Sequence, residues 1–517
     1  MKSLKTFPLA ATVVTVLTVT GCQRSTPETD SPDAVTTNST VSDLSDAAAN
    51  DSEITNAIEV EYRVARGLTA SDILVETDEG IVTLSGTVDN LLAFDRAKRI
   101  AEMTKGVRAV VNNIEVQPPE ISNDALVSDV QAALRADPAT EAWEITVDVE
   151  DGTAMLGGTV ESWQEKQLVS RVVKGVEGLT DIENNVRIDP ADTRAAGEIA
   201  EEVRQALQWD VRIDSGSIDV SVENGDRVVL SGAVGSAFEK SLAEAKAYVA
   251  GVDAVDIEQL QVEAWARDTM TRDSTFTNAT DSEIEAAIDD ALLYDPRVSS
   301  FNIAVAVDNG VATLAGTVDN LKAKRAAAQD ASNTMGIWQV ENNINVEPEA
   351  RPADSEISQN IKASLRRDPY LEAEDVEISV SDGIVTLNGV VDSYFEKWEA
   401  GDLAALSEGV VSVINDIEVD YELLSYDTYF YDWNPILMDY DVAIVTKSDP
   451  ELVEDIENQM IWSPMVEYQD VEVSANNGIV MLTGQVDSQF EKMQATEEAY
   501  EAGAKEVINN LEIPGNN

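Results

Sequence analysis

Apolar residues recur along this chain in a fixed order of periods: 3.6, then two, then 3.6 again, then a last apolar run. Leu126/Val130/Leu134, Ile199/Val203/Leu207, Ile284/Ile288/Leu292, Ile357/Ile361/Leu365 and Leu452/Ile456/Met460 sit at i, i+4 and i+8, one stripe of a helix. Alternation follows at Ile145/Val147/Val149, Ile218/Val220/Val222, Ile303/Val305/Val307 and Val376/Ile378/Val380, predicting half-buried strands. Glu79-Gly80, Asp151-Gly152, Asn224-Gly225, Asn309-Gly310, Asp382-Gly383 and Asn477-Gly478 then predict tight hairpin turns, because these pairs tolerate positive φ. The returning strand ends in Leu-x-Gly-x-Val, with signature glycines at Gly86, Gly158, Gly232, Gly316, Gly389 and Gly484. An amphipathic run follows. A second glycine lies 19 or 20 residues beyond the first, at Gly106, Gly178, Gly251, Gly336, Gly409 and Gly503, and reads as a helix C-cap. A final strand, such as 110–116 or 340–346, closes each unit.

This order occurs six times. It predicts an α+β protein of tandem small αββαβ domains, each a three-stranded mixed sheet packed on two helices. The units fall at 51–118, 120–190, 194–263, 281–348, 353–421 and 449–514. About 72 to 95 residues separate the signature glycines, longer than a solenoid repeat, so each unit is a domain with its own small core. Asp-Ser-Glu-Ile opens three first helices, at Asp51, Asp281 and Asp354, offering an N-cap and first-turn negative charge. Asp-Pro or Ser-Pro ends four, at Asp137, Asp295, Asp368 and Ser463.

Units 1 and 4 share Gly-Thr-Val-Asp-Asn-Leu, from Gly86 and Gly316. Units 3, 5 and 6 share Ser-x-Phe-Glu-Lys, from Ser236, Ser393 and Ser488, and unit 2 has a close variant from Ser162. A duplicated three-domain block, broken at a linker over 264–280, accounts for this: unit 1 is like 4, 2 like 5 and 3 like 6. The stretch 422–448 fits no repeat. Its six aromatics (Tyr426, Tyr429, Phe430, Tyr431, Trp433, Tyr440) alternate with Asp. It is either a linker packed on domain 5 or 6, or a set of aromatic anchors for a partner.

The succession of helix, V-x-L-x-G-x-V hairpin, helix and G-V-x-x-V-x-N-x-I-x-V resembles the BON-domain family of bacterial envelope proteins. The resemblance covers nearly everything from Asp51 onward. Unit 3 departs from it by one extra residue after Gly225 and by lacking the pair seen at Asn112-Asn113; unit 6 departs at Ala504. The resemblance implies a non-enzymatic envelope protein that binds membrane phospholipid or envelope partners and supports outer-membrane integrity or osmotic-stress tolerance. Its alternative is a periplasmic chaperone-like holdase for envelope proteins.

Charge changes this picture in one respect. Lys and Arg total 35 against 97 Asp and Glu, a formal net charge of −62, which repels polyanions and excludes nucleic acid as a partner. There is no His, which removes Ser/His and Cys/His catalysis and imidazole metal ligands, and a single Cys, which removes disulfides and thiolate zinc sites. The acidic turns lack the twelve-residue calcium loop with its distal Glu. No catalytic residue, metal site or cofactor is expected.

The sole Cys has its own context. A positive start (Lys2, Lys5) and an apolar stretch over 7–19 form a signal peptide, 1–21, too short to span a membrane. Val19-Thr20-Gly21-Cys22 resembles a lipoprotein cleavage site, which would make Cys22 the lipidated residue; an ordinary secretory signal is the alternative. Residues 22–50 have almost no large apolar groups and predict a disordered tether. The expected location is therefore the cell envelope, lipid-anchored in the outer membrane and facing the periplasm. The basic clusters Arg96/Lys98/Arg99 and Lys322/Lys324/Arg325 lie on the second helices of units 1 and 4. They serve either helix charge pairing or phospholipid headgroups.

Overall fold

Where each hairpin reverses, two successive residues hold left-handed backbone, such as Glu79 at φ 50° and Gly80 at φ 73°. This is the conformation that two-residue connections need to match strand twist. The computed structural model describes residues 49–513 apart from 66, 69, 141–143, 190–193, 269–278, 299–301, 349–350 and 420–446. In each domain a first helix leads into the hairpin, a second helix follows, and the last strand pairs parallel to the hairpin's second strand. In domain 1, Ile73–Asp78 runs antiparallel to Ile81–Val88, and Ala109–Val116 runs parallel on its other side. The first helices are Asp51–Val64, Asn123–Ala136, Ala196–Trp209, Asp281–Tyr294, Asp354–Leu365 and Asp449–Trp462. The second helices are Leu91–Glu102, Trp163–Lys174, Ala237–Ala247, Leu321–Ser332, Tyr394–Leu406 and Gln489–Glu501. In domains 2 and 5 alike, the last strand breaks after Asn184 or Asn415. In domain 3 the extra residue widens the turn, and the last strand shifts register opposite Val229 and Ser231.

Three devices, one steric and two polar, explain the recurring residues. A Cβ on Gly86 would lie 1.9 Å from the Asp72 carbonyl oxygen, just before the hairpin's first strand. At Gly316 it would lie 1.9 Å from the Asn302 oxygen. The signature glycine thus sits within the returning strand, against a close backbone approach. Second, the Asp that opens the helix is not its cap. The caps are Asn50 and Thr280, and the Asp51 carboxylate instead accepts the hairpin-turn N–H groups of Glu79 at 3.0 Å and Gly80 at 2.9 Å. Asp354 and Asp449 clamp their turns in the same way. Third, Asn112 in the last strand donates to the Phe94 carbonyl of the second helix at 3.2 Å and accepts the Ile114 N–H. Asn184, Asn342, Asn415 and Asn509 repeat that hook.

The second glycine caps its helix in domain 6, where Gly503 at φ 109° follows the C-cap Ala502 and the Ala504 N–H donates to the Ala499 carbonyl at 3.0 Å, but not in domain 1. In domain 1 the helix ends with its cap at Met103, and Gly106 lies three residues further on. Its missing side chain admits Ile54 from the first helix, whose Cδ1 would be 2.9 Å from an added Cβ. Its φ of 90° and the packing of the first helix, rather than capping, require glycine there.

Each domain has one apolar core between its helices and its sheet. Some residues cross over. Leu91 of domain 1 packs in the core of domain 2, and its counterpart Leu321 of domain 4 packs in that of domain 5. Backbone bonds also cross: Lys105 N–H to the Trp462 carbonyl (2.9 Å), Glu177 N–H to Arg367 (3.0 Å) and Met335 N–H to Trp209 (2.9 Å). These join domain 1 to 6, 2 to 5 and 4 to 3. Exchanging the two blocks (1 for 4, 2 for 5, 3 for 6) maps this set of pairings onto itself, as a pseudo-twofold relation between duplicated halves requires.

Gly316→Ala is expected to cost about 3 kcal/mol, because the backbone must move to admit the methyl group. Gly225→Ala, where an added Cβ meets nothing within 4 Å, should cost about 1 kcal/mol, from positive φ alone. Urea unfolding of the two variants checks the difference.

Candidate functional site

The second helix of each domain starts just after the signature glycine and carries charge on the side facing other domains. Arg96 donates to Glu501 of domain 6 at 2.7 Å and lies 4.5 Å above the Phe395 ring of domain 5. Lys322 binds Asp137 of domain 2, and Arg325 binds Asp402 of domain 5. Lys98 pairs with Glu102 one turn on, at 3.3 Å. Arg99 is exposed but lies near Glu497 of domain 6. Lys324 is half-buried, and its carbonyl accepts the Asn342 hook at 2.7 Å. The structure therefore gives Arg96, Lys322 and Arg325 to carboxylates of neighbouring domains. Headgroup contact through these three requires the domain contacts to open.

The ends of the first helices form the other half of this network. Asp137 and Asp210 are 4 % exposed and Asp368 is 5 % exposed. Each accepts the N–H two residues on, from Ala139, Arg212 and Tyr370. This satisfies the backbone where the helix stops. Their charges are balanced differently. Burial opposes ionisation of Asp210, but Lys246 at 3.1 Å and Arg212 at 2.6 Å outweigh it and hold its carboxyl well below the usual range. Asp368 has no such partner. Burial, with no cation to offset it, pushes its carboxyl up to about 6, and Glu399 facing it is pushed up to about 8 by burial and by Asp368. Burial and the charge of Asp295 also raise Asp330 well above the carboxylate range. At the contact of domains 1 and 6, burial raises both Glu61 and Glu498 to about 8.

Sequence reasoning missed these buried carboxyls. A signal for one of them existed: Glu498 stands where units 1, 2 and 5 carry Ile100, Val172 and Leu403.

Opposite the helices, the sheet faces stay open, with Leu74, Ile81, Ile384, Ile414, Met481 and Ile508 all exposed. Cys22, the signal peptide and most of the tether lie outside the described residues, as does nearly all of the aromatic stretch 422–448. Among the described residues no group of three or more His, Cys, Asp or Glu is placed to hold a metal. No described helix is long and apolar enough to cross a membrane.

Removing Lys322 strands a buried carboxylate, whereas removing Arg325 unpairs one that is already half-exposed. Lys322→Ala is therefore expected to cost about 3 kcal/mol, and Arg325→Ala under about 1 kcal/mol. Denaturant melts compare the two.

The BON-domain family model matches residues 50–118, 122–190, 195–264, 280–348, 353–421 and 448–515. Osmotically-inducible protein Y of Escherichia coli (strain K12) is 27 % identical over 168 residues, covering 30 % of this chain and 84 % of that protein. An uncharacterized protein in the gshII 5' region of Anaplasma centrale is 28 % identical over 130 residues, covering 24 % of this chain and 86 % of that one. Among solved structures, the C-terminal domain of CdsD, the structural protein of the type III secretion system of Chlamydia trachomatis, matches at 18 % identity and a TM-score of 0.12. That match covers 44 % of this chain and all of the other. Matched in six tandem copies over more than half of its length, with the helix–hairpin–helix–strand order found in every copy, the chain belongs to the BON-domain family.

Proposed function

We propose that this is a non-enzymatic envelope protein, held by a lipid on Cys22 at the periplasmic face of the outer membrane. Its six BON domains bind membrane phospholipid or envelope partners and support outer-membrane integrity or osmotic-stress tolerance. The observation that carries this is the make-up of the chain: six copies of one scaffold, similar to Osmotically-inducible protein Y over 84 % of that relative's length. The signal-like start and the sole Cys add the anchor. With Arg96, Lys322 and Arg325 engaged between domains, direct binding falls to the outward sheet faces, and the acidic surface disfavours anionic headgroups at low salt.

A holdase is the second reading. The exposed apolar side chains on the sheets of domains 1, 5 and 6 favour it, since unfolded clients are held through apolar surface.

Cys22→Ser behind an ordinary secretory signal is expected to move the protein from the membrane pellet to the soluble fraction; retention in the pellet would overturn the anchor. Flotation of that soluble form with anionic and neutral vesicles, across salt concentrations, tests direct binding. No co-flotation under any condition removes the phospholipid version. Failure to suppress aggregation of an outer-membrane client removes the holdase.

A further inference from the structure

The contact between the first and last domains gathers more carboxyls than cations. Four carboxyls meet there: Glu61 from the first helix of domain 1, and Glu497, Glu498 and Glu501 from the second helix of domain 6. Two cations face them, Arg96 and Arg99 from the second helix of domain 1. Arg96 is already bound to Glu501 at 2.7 Å. The last element, the first helix of domain 6, adds only neutral groups: Gln459, whose amide donates to Glu61 at 3.3 Å, and Ser463, which shares a hydrogen bond with Glu498. Lys105, in the loop after the second helix of domain 1, adds a third cation to the joint: its side chain faces Glu467 of domain 6, and its backbone N–H donates to the Trp462 carbonyl.

Glu498 is 6 % exposed and Gln459 is 7 % exposed, and one oxygen of each has no hydrogen-bond partner. A carboxylate buried in this way, without a cation, is neutralised by taking up a proton. The 3–4 joint also holds a raised carboxyl, Asp330, but its other two carboxyls are bound by cations: Asp210 by Arg212 and Lys246, and Asp295 by Arg297.

We propose that the contact between domains 1 and 6 is a proton-dependent latch, closed while Glu61 and Glu498 carry protons and loosened when they lose them. Both carboxyls are raised to about 8 in the closed state, chiefly by burial. The closed state therefore binds more protons than the open one. Closure is strongest in acid and is lost as pH rises from the ordinary glutamate range through about 8. Opening would free the Trp462 carbonyl, Arg96 and the apolar surface between the two domains.

Hydrogen exchange on the full chain tests this directly. The Lys105 N–H, which donates to the Trp462 carbonyl at 2.9 Å, reports the latch; amides of the strand Ile81–Val88 report the domain itself. Between pH 6 and 9, after correction for intrinsic exchange, Lys105 protection should fall by about tenfold or more while the strand amides keep theirs. In E61Q/E498Q the amides keep the shape without the titration, so Lys105 should stay protected throughout; single E498Q should give about half the slope. A flat wild-type profile would overturn the latch. So would equal loss at the strand amides, which means domain unfolding, or an unchanged slope in the double variant.

Discussion

Among the described residues four backbone hydrogen bonds hold one domain to another; Val211 N–H donates to the Asn333 carbonyl, and the other three run from the residue before a second glycine to the end of another domain's first helix. Lys105 reaches Trp462, Glu177 reaches Arg367 and Met335 reaches Trp209. A helix leaves its last carbonyls without partners inside itself. Here the missing partner comes from a different domain. After five of the six first helices the chain stops at or near an Asp or Ser, often before Pro, and at Trp209, Arg367 and Trp462 the same stop becomes a joint. Each core is small, so an isolated domain of about 60 residues would be only marginally stable. Burial between domains adds what one core lacks, and Leu91 and Leu321 lend themselves to the cores of their neighbours.

Cations are scarce in this chain, and their placement specifies which domains meet. The contact of domains 1 and 2 uses Asp95 with Lys174, while the equivalent contact of domains 4 and 5 uses Arg325 with Asp402. Asp95 and Arg325 stand at the same distance after their signature glycines. The two halves therefore carry opposite polarity at one position, which disfavours pairing a domain with the wrong copy. Where no cation is bound, burial pushes carboxyls toward the protonated form inside a strongly acidic protein, Asp368 to about 6 and Glu498 to about 8. Exposed acids keep their charge in water, whereas buried ones trade it for a proton because desolvation of the ion costs more.

The division between inside and outside bears on the envelope role proposed above. The contacts that join domains run through helices and the loops after them. The opposite sheet faces, with mixed Thr, Asn and apolar side chains, are left for whatever the protein meets. Three of the six basic residues that looked suited to lipid, Arg96, Lys322 and Arg325, are consumed by domain contacts. Contact with lipid and integrity of the joints are thus coupled, since Arg96 and Lys322 become available only when Glu501 and Asp137 release them.

Much of a single domain was legible in the sequence. Periods of 3.6 and two, the Gly turns and the signature glycine gave the αββαβ order and its sixfold recurrence, because helix and strand formation depend on neighbours a few residues away. The duplicated block was legible too, from Gly86 and Gly316 and from the Ser-x-Phe-Glu-Lys runs. The role of Asp51 was not: a helix-opening Asp looks like a cap, and only the fold brings the turn at Glu79-Gly80 into its reach. Gly106 likewise looked like a cap until Ile54 was seen to press against it. The fate of Arg96, Lys322, Glu61 and Glu498 lay wholly in tertiary structure. A charged side chain on a helix reads the same whether water or a carboxylate some 400 positions away faces it. Periodicity says which face of a helix is apolar; what covers the polar face, and so whether a charge there is solvated, paired or replaced by a proton, is decided only when distant segments meet.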